Sequence, residues 1–170
     1  MTMLRAWLER FGPVYARLAI GAAFLSAVAS RFGIWDGEPG LSRFAGFIQY
    51  TAEVNAFMPA VTIPFLAWAA TVAETSLGVA LIAGLQVRWA AIGSAALLAL
   101  FGTAMAISLG PKSPLDYSVF SASAGALLLA LHEWRTPEDR REVRRLLQAW
   151  RALPRLRRER RVAAAIIGLY

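Results

Sequence analysis

The sequence predicts an all-α integral membrane protein. The expected architecture is a four-transmembrane-helix up-down bundle with an outer interfacial helix and a C-terminal basic amphipathic helix. Three observations carry this. The 170 residues are 58% hydrophobic and 17% charged, with a mean hydropathy of +0.50, against about 45–50% and ~25% in soluble domains. Four stretches reach or approach the ~20 apolar residues that cross a bilayer, where only a helix or closed barrel satisfies its own backbone without water. The charge is also segregated: residues 135–161 hold eleven of the 18 Lys+Arg and four of the 11 Asp+Glu, so they account for the whole net charge of +7. A neutral apolar body with one basic end reads as a membrane protein with a cytosolic tail, not as a nucleic-acid binder.

The elements follow in order. Residues 1–12 form a cytosolic interfacial segment through Met3, Leu4, Trp7, Leu8 and Phe11. Residues 13–134 make up the bundle. Span one covers about 13–33, with Pro13 suited to its first turn and Arg17 as its internal charge. Residues 18–29 also have the form of a signal-peptide core ending in Ala27-Val28-Ala29, but the long lead with Glu9 favours a retained span. Residues 41–58 mix Phe44, Phe47, Ile48, Val54, Phe57 and Met58 with Ser42, Arg43, Gln49, Glu53 and Asn55 at roughly helical spacing. Too polar to cross, they lie at the outer surface, as a connector or as a lid over a cavity. Span two covers about 61–85 and is interrupted by Glu74; the turn Gly84 to Arg88 makes span three, 89–110, antiparallel to it. Gly110-Pro111 ends span three, and Asp116 is the expected N-cap of span four, 117–134.

The tail, 135–170, opens with Thr136-Pro137-Glu138-Asp139, a helix start. Val143, Leu146, Leu147, Trp150 and Leu153 then share one face, and Arg140, Arg141, Arg144, Arg145 and Arg151 the other. That face suits an anionic inner leaflet, and no aromatic stacking array points to nucleic acid. Lys/Arg counts set the orientation. Arg5, Arg10, Arg88 and the tail lie on one side, against Arg31, Arg43 and Lys112, which places both termini in the cytoplasm.

With no cysteine, disulfides, thiol redox catalysis and Cys-ligated metal centres are excluded. No phosphate-binding glycine loop, HExxH motif or nucleophile–His–acid set is present, no metal is expected, and the catalytic residues are unassigned. Glu74 is the foremost candidate, because a carboxylate at that depth costs ~2.5 kcal/mol or more unless paired or neutralised. Its expected partner is Arg17, placed ~10 Å away along the bundle by counting 1.5 Å per residue from the cytosolic side. Small residues recur at Ala22/Ser26/Ser30, Ala67/Thr71/Thr75, Gly102/Ala106/Gly110 and Ala122/Ala126/Ala130, predicting close helix packing with little internal space.

Three stretches resemble the DoxX family of bacterial membrane proteins. The first is Arg17-Leu18-Ala19-Ile20-Gly21 with Phe24 and Arg31-Phe32; the family's Gly-x-x-Lys is replaced here by a segment ending in Arg31. The second is Glu74, Gly78, Leu81, Gly84 and Arg88, and the third runs from Ser113 to Phe120 through Asp116 and Tyr117. The resemblance implies a four-helix protein of the bacterial inner membrane, some of whose relatives are small subunits of thiosulfate:quinone oxidoreductases. It draws attention to Arg17, Glu74 and Arg88 as motif positions, with Arg31, Asp116 and Tyr117 as further motif and outer-mouth candidates; no cofactor is assigned, quinone being the candidate ligand and an oxidoreductase subunit the candidate partner. A homo-oligomer is compatible with it. The expected function is an accessory subunit of a quinone-linked system; a proton-linked or small-solute transporter using Glu74, and a structural scaffold, are the alternatives.

Overall fold

The computed structural model describes residues 2–37, 39–133 and 145. The chain divides into two compact units, Met1–Glu133 and Trp134–Tyr170. In the second, Arg145 is helical and exposed, while Arg140, Arg141, Arg144 and Trp150 lie outside the described residues. The first unit contains six α-helices and no strand among those residues: α1 (Thr2–Arg31), α2 (Phe44–Val54), α3 (Ile63–Ala83), α4 (Val87–Leu109), α5 (Lys112–Asp116) and α6 (Val119–Glu133).

Helix α1 is longer than the sequence predicts. It begins at Thr2, and Pro13 lies inside it rather than in its first turn. A proline there removes one backbone bond, to the carbonyl four residues back, and the helix formers on both sides carry it through. The 30 residues rise about 45 Å, more than the ~30 Å hydrocarbon core. Helices α1 and α3 end in the same way. Gly33 (φ 72°) and Gly84 (φ 74°) take the left-handed conformation that only glycine adopts cheaply. Ile34 N–H donates to Ala29 C=O at 3.0 Å, and Leu85 N–H to Ala80 C=O at 2.8 Å. These bonds satisfy carbonyls that would otherwise be orphaned in the last turn. Gly84→Ala is therefore expected to cost about 1–2 kcal/mol in detergent unfolding, from backbone strain and from a new Cβ 3.0 Å from Arg17 Nη1.

Two antiparallel pairs form the bundle. Helices α1 and α3 meet at Gly21 and Gly78, where a Cβ on Gly21 would lie 2.9 Å from the Gly78 carbonyl oxygen. Such backbone approach is how helices associate where burial in lipid supplies little drive. Helices α4 and α6 meet where Phe120 covers Gly102, and Ser123 Oγ donates to the Ala95 carbonyl at 2.8 Å. Near the α3–α4 turn, Leu81, Ala90, Ala91, Leu129 and Ala130 form a closed core. Of the stripe Ala67/Thr71/Thr75 the first two are buried and Thr75 is exposed, and Ala22, Ser26 and Ser30 are exposed; α1 packs instead through Gly21 and Leu25, one face round.

Three helices are long and apolar enough to cross a membrane: Trp7–Arg31, Ala60–Ala83 and Val87–Leu109. Helix α6 is apolar but shorter, 15 residues or about 22 Å. Only 11% of the α1 window and 28% of those in α3 and α4 is buried inside the protein. The remainder, with Trp7, Phe65, Leu100 and Ile107 exposed, needs an apolar solvent, because patches of this extent do not face water on monomeric soluble proteins.

Candidate functional site

Helix α3 buries Ile63, Ala67, Thr71, Glu74, Gly78 and Leu81, a stripe at helical spacing, and Glu74 is the charged member of it. Its side chain is 2% exposed. Arg31, the last residue of α1, reaches it: Nη2 donates to both carboxylate oxygens, at 2.6 and 2.8 Å. Nη1 donates to Thr71 Oγ1 at 3.1 Å, and that hydroxyl donates to the Ala67 carbonyl at 2.8 Å. The guanidinium carbon lies 3.8 Å from the centroid of the Phe47 ring, a cation–π contact from α2. As the C-terminal residue of α1, Arg31 also places its positive charge at the negative end of that helix.

The expected Arg17–Glu74 pair is not formed. Arg17 lies one bundle level away, its guanidinium packed on Gly84 at the end of α3. Counting residues from one side ignores register, and the Gly21–Gly78 contact fixes that register so that position 17 faces 84 while 31 faces 71 and 74. The Nε of Arg17 has no hydrogen-bond partner among the described residues.

The ion pair lines a cavity of about 920 Å³. The wall on α1 runs from Ala19 to Arg31, about 18 Å along the helix, and includes Ala23, Phe24 and Ala27. Ala69, Ala70 and Ala73 of α3 and Leu97, Phe101 and Ala104 of α4 complete the sides. Apart from Ala122, the small residues that predict tight packing are not in this lining; other alanines, such as Ala23, Ala27, Ala70 and Ala73, leave the room. Helix α2 contributes Phe47, Tyr50, Thr51 and Val54, and its C-cap Asn55 joins them, so the segment read as connector or lid is part of the cavity wall. Its anchor is Phe44, 3% exposed, stacked on Phe32 at 5.4 Å and meeting the Trp68 ring at 4.3 Å with the planes tilted by 34°.

The other sequence candidates scatter. Arg88 is in the first turn of α4, at the opposite end of α3 from Arg31's site, with its guanidinium 5.1 Å from the Trp89 ring. Asp116 is not an N-cap. It ends the short helix α5, where it pairs with Lys112 one turn earlier, and Ser118 (φ 53°) opens α6 by accepting the Ala122 N–H at 3.0 Å. Both members of that pair are well exposed, so Asp116→Asn is expected to change stability by less than about 0.5 kcal/mol, where loss of an N-cap would cost ~1 kcal/mol; thermal unfolding distinguishes the two. Tyr117 is exposed at the end of α5 and close enough to Tyr50 to act on it electrostatically. Burial pushes the Tyr50 phenol above its ordinary pKa, with Tyr117 and Glu53 adding to the shift.

Sequence reasoning missed Arg31 as the partner of Glu74, and left 41–58 between a connector and a lid over a cavity. The signal for α2 was available: Phe44, Phe47, Thr51 and Val54 recur at three- and four-residue steps on one face. Among the described residues, no three His, Cys, Asp or Glu side chains converge as a metal site would require.

Long apolar helices with outward hydrophobic faces around a buried ion pair define a multi-pass membrane protein. The family model for DoxX matches residues 12–108, more than half of the chain, and the protein belongs to that family. The match covers most of α1 and all of α2 and α3, and ends just short of the end of α4, so it includes both Arg31 and Glu74. No curated protein and no solved structure matches the chain.

Proposed function

We propose that the protein is an accessory or small subunit of a quinone-linked oxidoreductase system in the bacterial inner membrane, with the Arg31–Glu74 pair beside the quinone headgroup. The observation that carries this reading is an intramembrane ion pair set in the wall of an otherwise apolar cavity. Ligand sites of this kind combine an apolar lining with a few polar groups that fix orientation, and intramembrane ionisable residues are functional by default. In this reading α6 completes a four-span bundle beside α4 and both termini are cytoplasmic. The basic tail, through Arg140, Arg141, Arg144, Arg145 and Trp150, then rests on the anionic inner leaflet or on a cytosolic partner. The transporter alternative draws less support, since both oxygens of Glu74 are already engaged by Arg31.

Mild-detergent isolation of the tagged chain followed by mass spectrometry tests the assignment. The expected result is constant recovery of an oxidoreductase and a fall in membrane quinone reduction when the chain is deleted. Recovery of the chain without an oxidoreductase, with quinone reduction unchanged on deletion, contradicts it.

A further inference from the structure

The charge pattern of the cavity restricts what can occupy it. Arg31 and Glu74 are the charged side chains of its lining, and their formal charges cancel. Tyr50 of α2 and its C-cap Asn55 add neutral hydrogen-bonding groups. An anionic headgroup entering this largely apolar, open-sided space would bring a net charge beside a cation already held by Glu74, and an uncompensated charge there is unfavourable. An uncharged headgroup brings no such cost.

We propose that the cavity is a binding site for an uncharged lipid with a hydrogen-bonding headgroup, and that Glu74 determines this specificity. By neutralising Arg31 it excludes anionic amphiphiles that the bare guanidinium would capture. The inference rests on the quinone-site reading and sharpens it, because it assigns the charge class of the ligand to one residue. Glu74 acts here through Arg31, so its removal changes selectivity in a way that loss of a merely structural bridge would not.

The test uses the full purified chain in maltoside micelles and two probes with the same ten-carbon tail, decylubiquinone and the permanently anionic decanesulfonate. The wild type is expected to bind decylubiquinone at least about tenfold more tightly than decanesulfonate, a difference of about 1.4 kcal/mol. Glu74→Gln, which leaves Arg31 uncompensated, is expected to bind decanesulfonate at least about tenfold more tightly than the wild type does. The double variant Arg31→Gln/Glu74→Gln loses that gain. Ala104→Phe, which places a ring into the cavity from α4, weakens both probes without touching the ion pair. Equal binding of the two probes by the wild type overturns the proposal, as does an Ala104→Phe chain that binds as the wild type does. So does a folded Glu74→Gln chain with no gain for decanesulfonate; if that variant does not fold, the wild-type and Ala104→Phe comparisons decide. The selectivity appearing in a chain that carries no oxidoreductase refutes the subunit role alone and leaves the site standing.

Discussion

Arg31→Leu is expected to destabilise the bundle by about 3–5 kcal/mol, the largest single-residue effect outside gross steric clashes. The size follows from what is left behind. Glu74 is 2% exposed, and its two oxygens accept from the same guanidinium nitrogen. Deleting the cation strands a buried carboxylate, for which no other cation lies within ion-pair distance among the described residues. Thr71 loses its donor and Phe47 its cation at the same time. The readout is reversible unfolding in mixed micelles. Arg17→Leu provides the contrast: Arg17 sits at the carbonyl end of α3, and a cation at a helix C-terminus is worth about 0.3–1 kcal/mol.

The second large effect is expected at the α1–α3 crossing. A methyl on Gly21 would sit 2.8 Å from Ile82 Cγ1 and 2.9 Å from the Gly78 oxygen, and a methyl on Gly78 would sit 3.1 Å from the Gly21 oxygen. A side-chain atom can move aside, but a helix carbonyl cannot. Gly21→Ala is therefore expected to cost about 1–3 kcal/mol as overpacking, and Gly21→Ile more, because it forces the helices apart. The damage should extend to the ion pair, since the same crossing sets the register that brings residue 31 opposite 74. Gly46→Ala and Gly125→Ala are the controls. A methyl at either position meets nothing within 4 Å, so both should stabilise their helices by up to ~1 kcal/mol. Thermal unfolding of the four variants separates steric from propensity effects.

Much of the fold could be read from periodicity and hydropathy, because lipid-facing helices must be long, apolar and closed on their own backbone. Spans one to three, the turn at Gly84, and a charge at Glu74 inside an apolar helix are of this kind. Each rests on residues close in sequence: a run of apolar side chains, a glycine after it, a carboxylate within it. Arg31 as partner is of another kind. Which arginine meets Glu74 depends on how far α1 slides along α3, and that is decided by two glycines 57 positions apart that carry no local mark of their pairing. The cavity escaped for a related reason. It is lined by alanines outside the packing stripes, Ala19, Ala23 and Ala27 of α1 and Ala69, Ala70 and Ala73 of α3, and nothing local in the sequence marks that these face a common space. Asp116 has the composition of a cap, and lost that role because Lys112 stands one turn before it and Ser118 takes the left-handed conformation that starts α6.

A double-mutant cycle on Arg31 and Glu74 tests the central pairing most directly. Each residue is changed to alanine, singly and together, and unfolding free energies are compared in the same micelles. A parallel cycle is run on Arg17 and Glu74. The account predicts a coupling of about 2–3 kcal/mol for Arg31 with Glu74 and less than about 0.5 kcal/mol for Arg17 with Glu74. Additive effects in the first cycle, or the larger coupling in the second, would contradict it.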